Sequence, residues 1–418
     1  MVRLFKVKVL SSEDGSVMEW LGLAPIGSML ISSVFASRLG PVAQRGPSFS
    51  LARGTIKPHS KSSSARIDVV IPAYNEVIHI EACVRSVLDS STLETLMVWV
   101  VDDQSSDETG EILARMDEEG DRRLQVIRGV DRPENEGWMG KNWACAQAVD
   151  QATGEFVLFI DADVRLRPGA IEAAVESMIL NQWDLLTGWL EIQCGCWGEW
   201  IAQPIIASMM LVGFQPQELA DPEHPSMFAV GPFMLFRRSA YDKVGGHRSL
   251  RSEIVEDVEL ARCIQGAGLN FQFAYFPDFG TLRMYQSFAG LWEGWTKNWH
   301  LGSRRNVKAT VNSAVIALFV FTVPWLGAIA GLGNFGSHLL SQTVTGWSVL
   351  GALGGIAAIV QQYWVRSQLE QTVQLPRRYW WLSGIGGCVV AAIAIGSWIK
   401  TETGWGWTWR GRKLRLEA

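Results

Sequence analysis

Hydrophobic and polar positions divide the chain into two regimes. In residues 66–308 short apolar runs alternate with segments of helical spacing, whereas residues 309–365 carry no Lys, Arg, Asp or Glu at all. Within the first regime, residues 67–73 (IDVVIPA), 96–101 (LMVWVV), 124–128 and 156–160 (FVLFI) are β-branched or aromatic runs of strand length. Residues 75–90, 109–119 and 142–152 between them have the spacing of helices. Continuously apolar strands separated by such helices predict an α/β fold on a parallel sheet covered on both faces. Ligands of such sheets bind beyond the carboxyl ends of the strands.

The second regime predicts membrane helices. Residues 313–332, 345–360 and 381–399 approach the ~20 apolar residues a spanning helix needs, and none shows the polar face of a soluble core helix. Trp347, Trp380, Trp381 and Trp398 lie near their ends, as interfacial anchors do. Residues 17–36 are a weaker candidate, interrupted by Glu19 and Pro25, and read as a span, an interfacial helix or a targeting segment. The domain division is then an N-terminal segment (1–36), a basic flexible linker (37–65), a charged domain (66–300), a membrane domain (301–400) and a basic Trp-rich tail (401–418). Arg304, Arg305 and Lys308, with Arg366, Arg377 and Arg378, put the loops beside the spans, and the charged domain with them, on the cytoplasmic side of a multi-pass plasma-membrane protein. Three alternating spans would leave Arg410, Arg412, Lys413 and Arg415 on the opposite side, in conflict with the same rule.

Composition narrows the class. A net charge of −5 without a clustered positive excess speaks against nucleic acid as a partner. A hydrophobic share of 48% excludes a disordered chain, and six dispersed cysteines do not make a disulfide scaffold. Cys194 and Cys196 lack the second pair a zinc site requires.

The predicted strand ends carry the chemistry. The first ends in Ala73-Tyr74-Asn75-Glu76, the second in Asp102-Asp103-Gln104-Ser105-Ser106-Asp107, and the fourth in Asp161-Ala162-Asp163. Capping accounts for Ser105, Ser106 and Asp107, but one cap does not use both carboxylates of Asp161 and Asp163. Hard oxygen ligands at alternate positions suit Mg²⁺ or Mn²⁺, with a substrate diphosphate completing the shell. Lys141 follows a Gly turn at a helix start, suited to a donor phosphate; the alternative is a solvated surface charge. Glu256 and Asp257 open a helical stretch, where acidic residues also favour the helix dipole. Residues 197–214 read as core or as an interfacial helix guiding a lipid, with Trp197 and Trp200 at one end favouring the latter.

VIPAYNE, VVDDQSSDET, FIDADV, VGPFMLFRRSAYDKVGGH (230–247) and IVEDVELARCIQGAG (254–268), in this order, resemble family 2 glycosyltransferases. The likeness runs over residues 66–299 and implies the GT-A fold, a Rossmann-like mixed sheet, here followed by C-terminal transmembrane helices. It implies that Ala73, Glu76 and Asp103, with Asp102 beside them, contact the nucleotide of a nucleotide-sugar donor. Asp161 would hold ribose and metal, and Asp163 the divalent metal, Mn²⁺ or Mg²⁺. Asp257 of the Glu256-Asp257 pair would be the general base of an inverting displacement, with Gly231, His247 and Trp299 on the acceptor side. WMGKNWA (138–144) and GWTWRGR (406–412) resemble a subgroup that glycosylates isoprenoid lipids, including carotenoid and hopanoid-associated enzymes. The family's Q/RxxRW motif is replaced by Trp295-Thr296-Lys297-Asn298-Trp299, which leaves Lys297 or Arg304 as cations for the leaving group. The expected activity is sugar transfer to a lipid hydroxyl, on a terpenoid such as a carotenoid. A polysaccharide or polyprenyl-phosphate sugar synthase and a degenerate membrane scaffold are the alternatives.

Overall fold

The structure, a computed structural model, describes residues 14–45, 48–51, 65–134, 136–214, 229–341 and 346–414. The chain enters through a long helix, α1 (Asp14–Arg45), and then alternates β1 (Ile67–Ala73), α2 (Ile80–Ser90), β2 (Leu96–Asp102), α3 (Thr109–Glu118), β3 (Leu124–Arg128), α4 (Gly140–Gln151) and β4 (Phe156–Phe159). These strands pair in parallel in the order β3-β2-β1-β4. β1 and β4 are buried along nearly their whole length, which is why β4 reads as an unbroken apolar run and β1 as one broken only by Asp68, whose buried carboxylate accepts from Trp99 and Gly154.

The remainder of the sheet departs from the parallel arrangement that periodicity predicts. It is built from β5 (Val164–Leu166), α5 (Ala170–Asn181), β6 (Leu185–Ile192), α6 (Trp197–Phe214), β7 (Met234–Arg237), α7 (Arg238–Lys243), α8 (Gly246–Ser249), α9 (Glu256–Gly266) and β8 (Phe271–Leu282). The eight strands lie in the order β3-β2-β1-β4-β7-β6-β8-β5. β7 runs antiparallel to both β4 and β6, and β5 antiparallel to β8, so the sheet is mixed. An apolar run carries no sign of strand direction, because direction depends on how the connecting chain crosses the sheet.

The C-terminal part follows as α10 (Phe288–Gly302), α11 (Val307–Ala317), a π-helical turn (Leu318–Thr322), α12 (Val323–Ser341), α13 (Gly346–Val373) and α14 (Ser383–Thr403), closed by the small strands β9 (Thr408–Trp409) and β10 (Arg412–Lys413). Three helical stretches are long and apolar enough to cross a membrane: Leu23–Ala43, Val307–Gly333 and Trp380–Thr403. α12 and α13 pack antiparallel at close range. A Cβ on Gly355 would stand 2.7 Å from the Ala328 nitrogen and 2.7 Å from the Pro324 carbonyl oxygen, the small-residue contact that lets apolar helices approach in lipid. The π turn frees carbonyls at Val320 and Phe321, and Gln362 Nε2 donates to them at 2.8 and 3.1 Å.

Several boundaries move. α1 continues to Arg45, through the first part of the stretch read as linker, because Leu39 and Val42 are fully buried and Thr372 of α13 donates to the Ala43 carbonyl. Residues 48–51 are also ordered against the domain, with Phe49 edge-on to Trp183; residues 46–47 and 52–64 lie outside the described residues. α13 runs well past residue 360 and carries Arg366 inside the helix rather than in a loop. Arg366 is 3% exposed, and its guanidinium donates to the Arg378 carbonyl. Most of α6 is buried against α1, α10 and α14 rather than free as an interfacial face, while Trp197 at its start is exposed. Ala202, Ile205, Ile206 and Leu211 are buried, and Gly386 of α14 packs on the Ile201 carbonyl.

The conflict over the tail is removed by the path of α14. Left-handed residues at Gln374 and Tyr379 turn the chain back after α13. α14 then runs antiparallel to α11: Thr322 bonds the Gly384 carbonyl, and Ser397 accepts the His300 N–H at 2.9 Å. Its carboxyl end thus returns to α10, and the tail lies against the same domain that α11 leaves.

Candidate active site

The ends of β1 and β2 are tied to each other before they meet anything else. The Ala73 carbonyl accepts the Asp103 N–H at 2.8 Å. Asp102 is spent locally, its Oδ1 accepting the Ser105 N–H at 3.0 Å. Asp107 accepts the Thr109 N–H at the head of α3, as a capping residue would, whereas Ser105 accepts the Asn75 N–H beyond β1 and so ties two strand ends together rather than capping a helix. Asp103 instead faces cations: its Oδ2 is 3.1 Å from Arg132 and also bonds Arg412, with only 6% of its side chain exposed.

Glu76 and Asp163 form an acidic recess beside it. Glu76 Oε1 pairs with Arg410 at 2.7 Å. Its Oε2 and Asp163 Oδ1 are buried and meet no hydrogen-bond partner among the described residues. Burial pushes the Glu76 carboxyl up to about 7 against the pull of Arg410. Burial, then Asp161 and Glu76, push Asp163 well above the carboxylate range. A recess that disfavours its own negative charges is short of a cation.

A second cluster joins β4 to α9. Lys141, the second residue of α4, places Nζ 2.7 Å from Asp161 Oδ1 and 2.7 Å from Glu256 Oε1. Burial opposes its charge, but Asp161, Glu256 and Asp257 outweigh burial and hold the ammonium well above its ordinary range. Asp257 Oδ2 accepts the Gly231 N–H at 2.9 Å, and Oδ1 the Val258 N–H at 2.8 Å. Burial and the neighbouring Glu256 raise its carboxyl to about 6, although Lys141 pulls the other way. Gly231 is where these groups converge. A Cβ there would stand 3.0 Å from Lys141 Nζ, 3.4 Å from Asp257 Oδ2 and 3.7 Å from Asp161 Oδ2.

Two residues expected on the acceptor side lie elsewhere. His247 is 2% exposed, its Nδ1 2.7 Å from the Tyr241 hydroxyl and its ring against Phe159. Burial lowers it to about 3, so it is a neutral core histidine. Trp299 turns toward α11 and donates to Ser313 Oγ at 2.9 Å. Of the two cations left by the altered motif, Lys297 sits 4.4 Å over the Trp409 ring, and Arg304 lines a separate cavity of about 310 Å³ between α9 and the end of α10.

The residues that sequence reasoning missed are cations: Arg132, Arg410 and Arg412. The last two sit in GWTWRGR, visible as a motif but more than 300 positions from the carboxylates they meet.

The description Glycosyl transferase family 2 matches residues 68–245. A 4,4'-diaponeurosporenoate glycosyltransferase of Staphylococcus aureus (strain MRSA252) is 30% identical over 274 residues, 64% of this chain and 69% of that protein. The chain belongs to glycosyl transferase family 2. The counterpart in strain USA300 is 29% identical over the same length. Among solved structures, a mannosyltransferase of Pyrobaculum calidifontis in complex with GDP-Man and Mn²⁺ aligns with a TM-score of 0.50 at 15% identity, covering 93% of this chain and 99% of that one. This family 2 glycosyltransferase therefore has the GT-A fold, with the mixed sheet described above.

Proposed function

We propose that this glycosyltransferase is anchored in the membrane by its α1, α11–α12 and α14 helices, with its catalytic domain on the cytoplasmic side. It transfers a sugar, with inversion, from a nucleoside-diphosphate donor to a hydroxyl of a terpenoid lipid such as a carotenoid. The observation that carries this reading is the meeting of Asp161, Lys141 and Asp257 around Gly231, on a domain whose α10 passes directly into α11. An apolar acceptor can reach such a site sideways from the bilayer. The relatives named for diaponeurosporenoate support the lipid class. A belt of Trp200, Tyr363, Tyr379, Trp380 and Trp381 with Arg377 and Arg378 supports a membrane boundary at that level.

The unpartnered Asp163 Oδ1 and Glu76 Oε2 fit a divalent cation. Among the described residues no three His, Cys, Asp or Glu side chains form a complete cage, which suits an ion whose shell the diphosphate and water finish. Asp163, with Asp161, would hold it. A bound Mn²⁺ or Mg²⁺ would neutralise negative charge on the diphosphate.

The chain's own residues account for the rest. Asp257 takes the proton of the acceptor hydroxyl; the freed oxygen bonds to the anomeric carbon as the bond from that carbon to the phosphate oxygen breaks, and the nucleoside diphosphate leaves with the electron pair. The two backbone amides on Asp257 fix its direction, while Lys141 holds Asp161 and Glu256 at a set separation. Mass spectrometry of lipids from cells expressing the wild type or Asp257→Asn tests the reading. A neutral glycolipid one sugar heavier than a terpenoid should appear only with the wild type. A sugar-phospholipid or a polymer as the sole wild-type-dependent product would overturn the acceptor class.

A further inference from the structure

The altered motif on α10 has Asn298 where the family places its second arginine, and the structure brings another arginine against α10 from the far end of the chain. β9 and β10 pair as a hairpin, Arg412 opposite Trp409, turned by Arg410 (φ 47°) and Gly411 (φ 82°). Two consecutive left-handed residues make the two-residue turn whose twist matches its strands, and glycine at the second position removes the Cβ cost there.

Three anchors hold this hairpin. Thr408 Oγ1 donates to Glu293 Oε1 of α10 at 2.6 Å, and the Arg410 N–H to Glu293 Oε2 at 3.3 Å. Lys297 of α10 covers the Trp409 ring. Arg412 bonds the Asp103 carboxylate, donates to its carbonyl at 2.6 Å, and lies 3.4 Å over the Tyr74 ring. α14 positions the whole unit, since Lys400 near its end donates to Thr296 of α10 at 3.0 Å.

So anchored, Arg410 keeps unused donors. Its Nη1 serves the carbonyls of Tyr74 and Asn75, each at 2.8 Å, and Glu76 Oε1. No acceptor among the described residues meets its Nε or Nη2. A guanidinium fork with one edge bound to the protein and the other open is suited to phosphate oxygens. Its charge also acts on Asp163, across the recess where Asp163 Oδ1 and Glu76 Oε2 are unpartnered.

We propose that Arg410 is the cation that grips the donor's diphosphate, supplied by the C-terminal hairpin in place of the arginine missing from α10, with Arg412 as the residue that pins the hairpin to the rim. The proposal rests on the donor reading above. It makes the segment after the last membrane helix part of the donor site.

The test is binding of UDP and GDP, each with Mn²⁺, to the full-length protein in detergent, compared with UMP and GMP. Arg410→Gln should weaken binding of the diphosphate that the wild type prefers about tenfold, and binding of the matching monophosphate far less. Arg410→Lys keeps a charge and a carbonyl contact but loses the fork. It should weaken the diphosphate about threefold and decides the matter if the Gln variant does not fold. Unchanged diphosphate affinity in the folded variants would overturn the proposal, and so would tighter binding, which would make the hairpin a shield over an empty rim. If the wild type bound neither diphosphate, the donor reading would fall and this proposal with it. Wild-type binding with indifferent variants would remove the hairpin's role alone.

Discussion

At the scale of single residues, the proposed base Asp257 and the glycine that contacts it, Gly231, carry the testable chemistry. A base must be ionised to accept a proton, and burial beside Glu256 holds the Asp257 carboxyl at about 6. The expected kcat/KM is therefore level above pH ~7 and falls about tenfold per pH unit in more acid solution, as the base is protonated. A profile still level at pH ~5 would remove Asp257 from that role. Asp257→Asn should lower kcat by roughly 10²–10⁴ while leaving thermal unfolding nearly unmoved. Gly231→Ala is a finer probe. The added methyl, 3.0 Å from Lys141 Nζ, displaces the ammonium that spaces Asp161 from Glu256, and misplacement of this size costs on the order of tenfold to a hundredfold in rate. Wild-type kcat in the folded alanine variant would show that Lys141 has no spacing role. The carboxylates themselves were legible, because Asp103, Asp161, Asp163 and Asp257 each stand in a short motif. The roles of Asp102 and His247 were not. One serves a turn amide and the other a core hydroxyl, and neither partner is visible from residue type.

At the scale of elements, direction and length were the less legible quantities. The runs at 67–73, 96–101 and 156–160 are strands within a residue or so, yet the antiparallel β7 gives no sign of its direction in its composition. Helices extended beyond their hydropathy limits wherever a partner buried the extra turns, as α13 does for the last turns of α1. The α12–α13 contact supplies a test. Gly355→Ala would push a methyl to 2.7 Å from the backbone of α12, and overpacking of this kind costs about 1–3 kcal/mol. Thermal unfolding in detergent should register the loss, with activity per folded molecule retained. An unchanged melting temperature would mean that the two helices do not approach so closely.

For the whole molecule, α14 returns to α10, so the proposed membrane arrangement requires the tail and the mixed-sheet domain to share one side. Glu118→Cys and Lys413→Cys, each in a chain with its native cysteines replaced, should react with an impermeant maleimide from the same side of sealed vesicles. Labelling from opposite sides would refute the path of α14. By itself the sequence determined the family, the strand-helix alternation, the apolar helices and the acidic strand ends. Each of these is written in adjacent residues, through periodicity, hydropathy or a short motif. Tertiary structure alone decided that the chain doubles back after α13, that Lys141 bridges two acidic elements, and that Arg410 and Arg412 close the rim opposite Glu76 and Asp103. Those contacts join residues from 20 to more than 300 positions apart, and a side chain's charge does not name its partner until the backbone brings the two together.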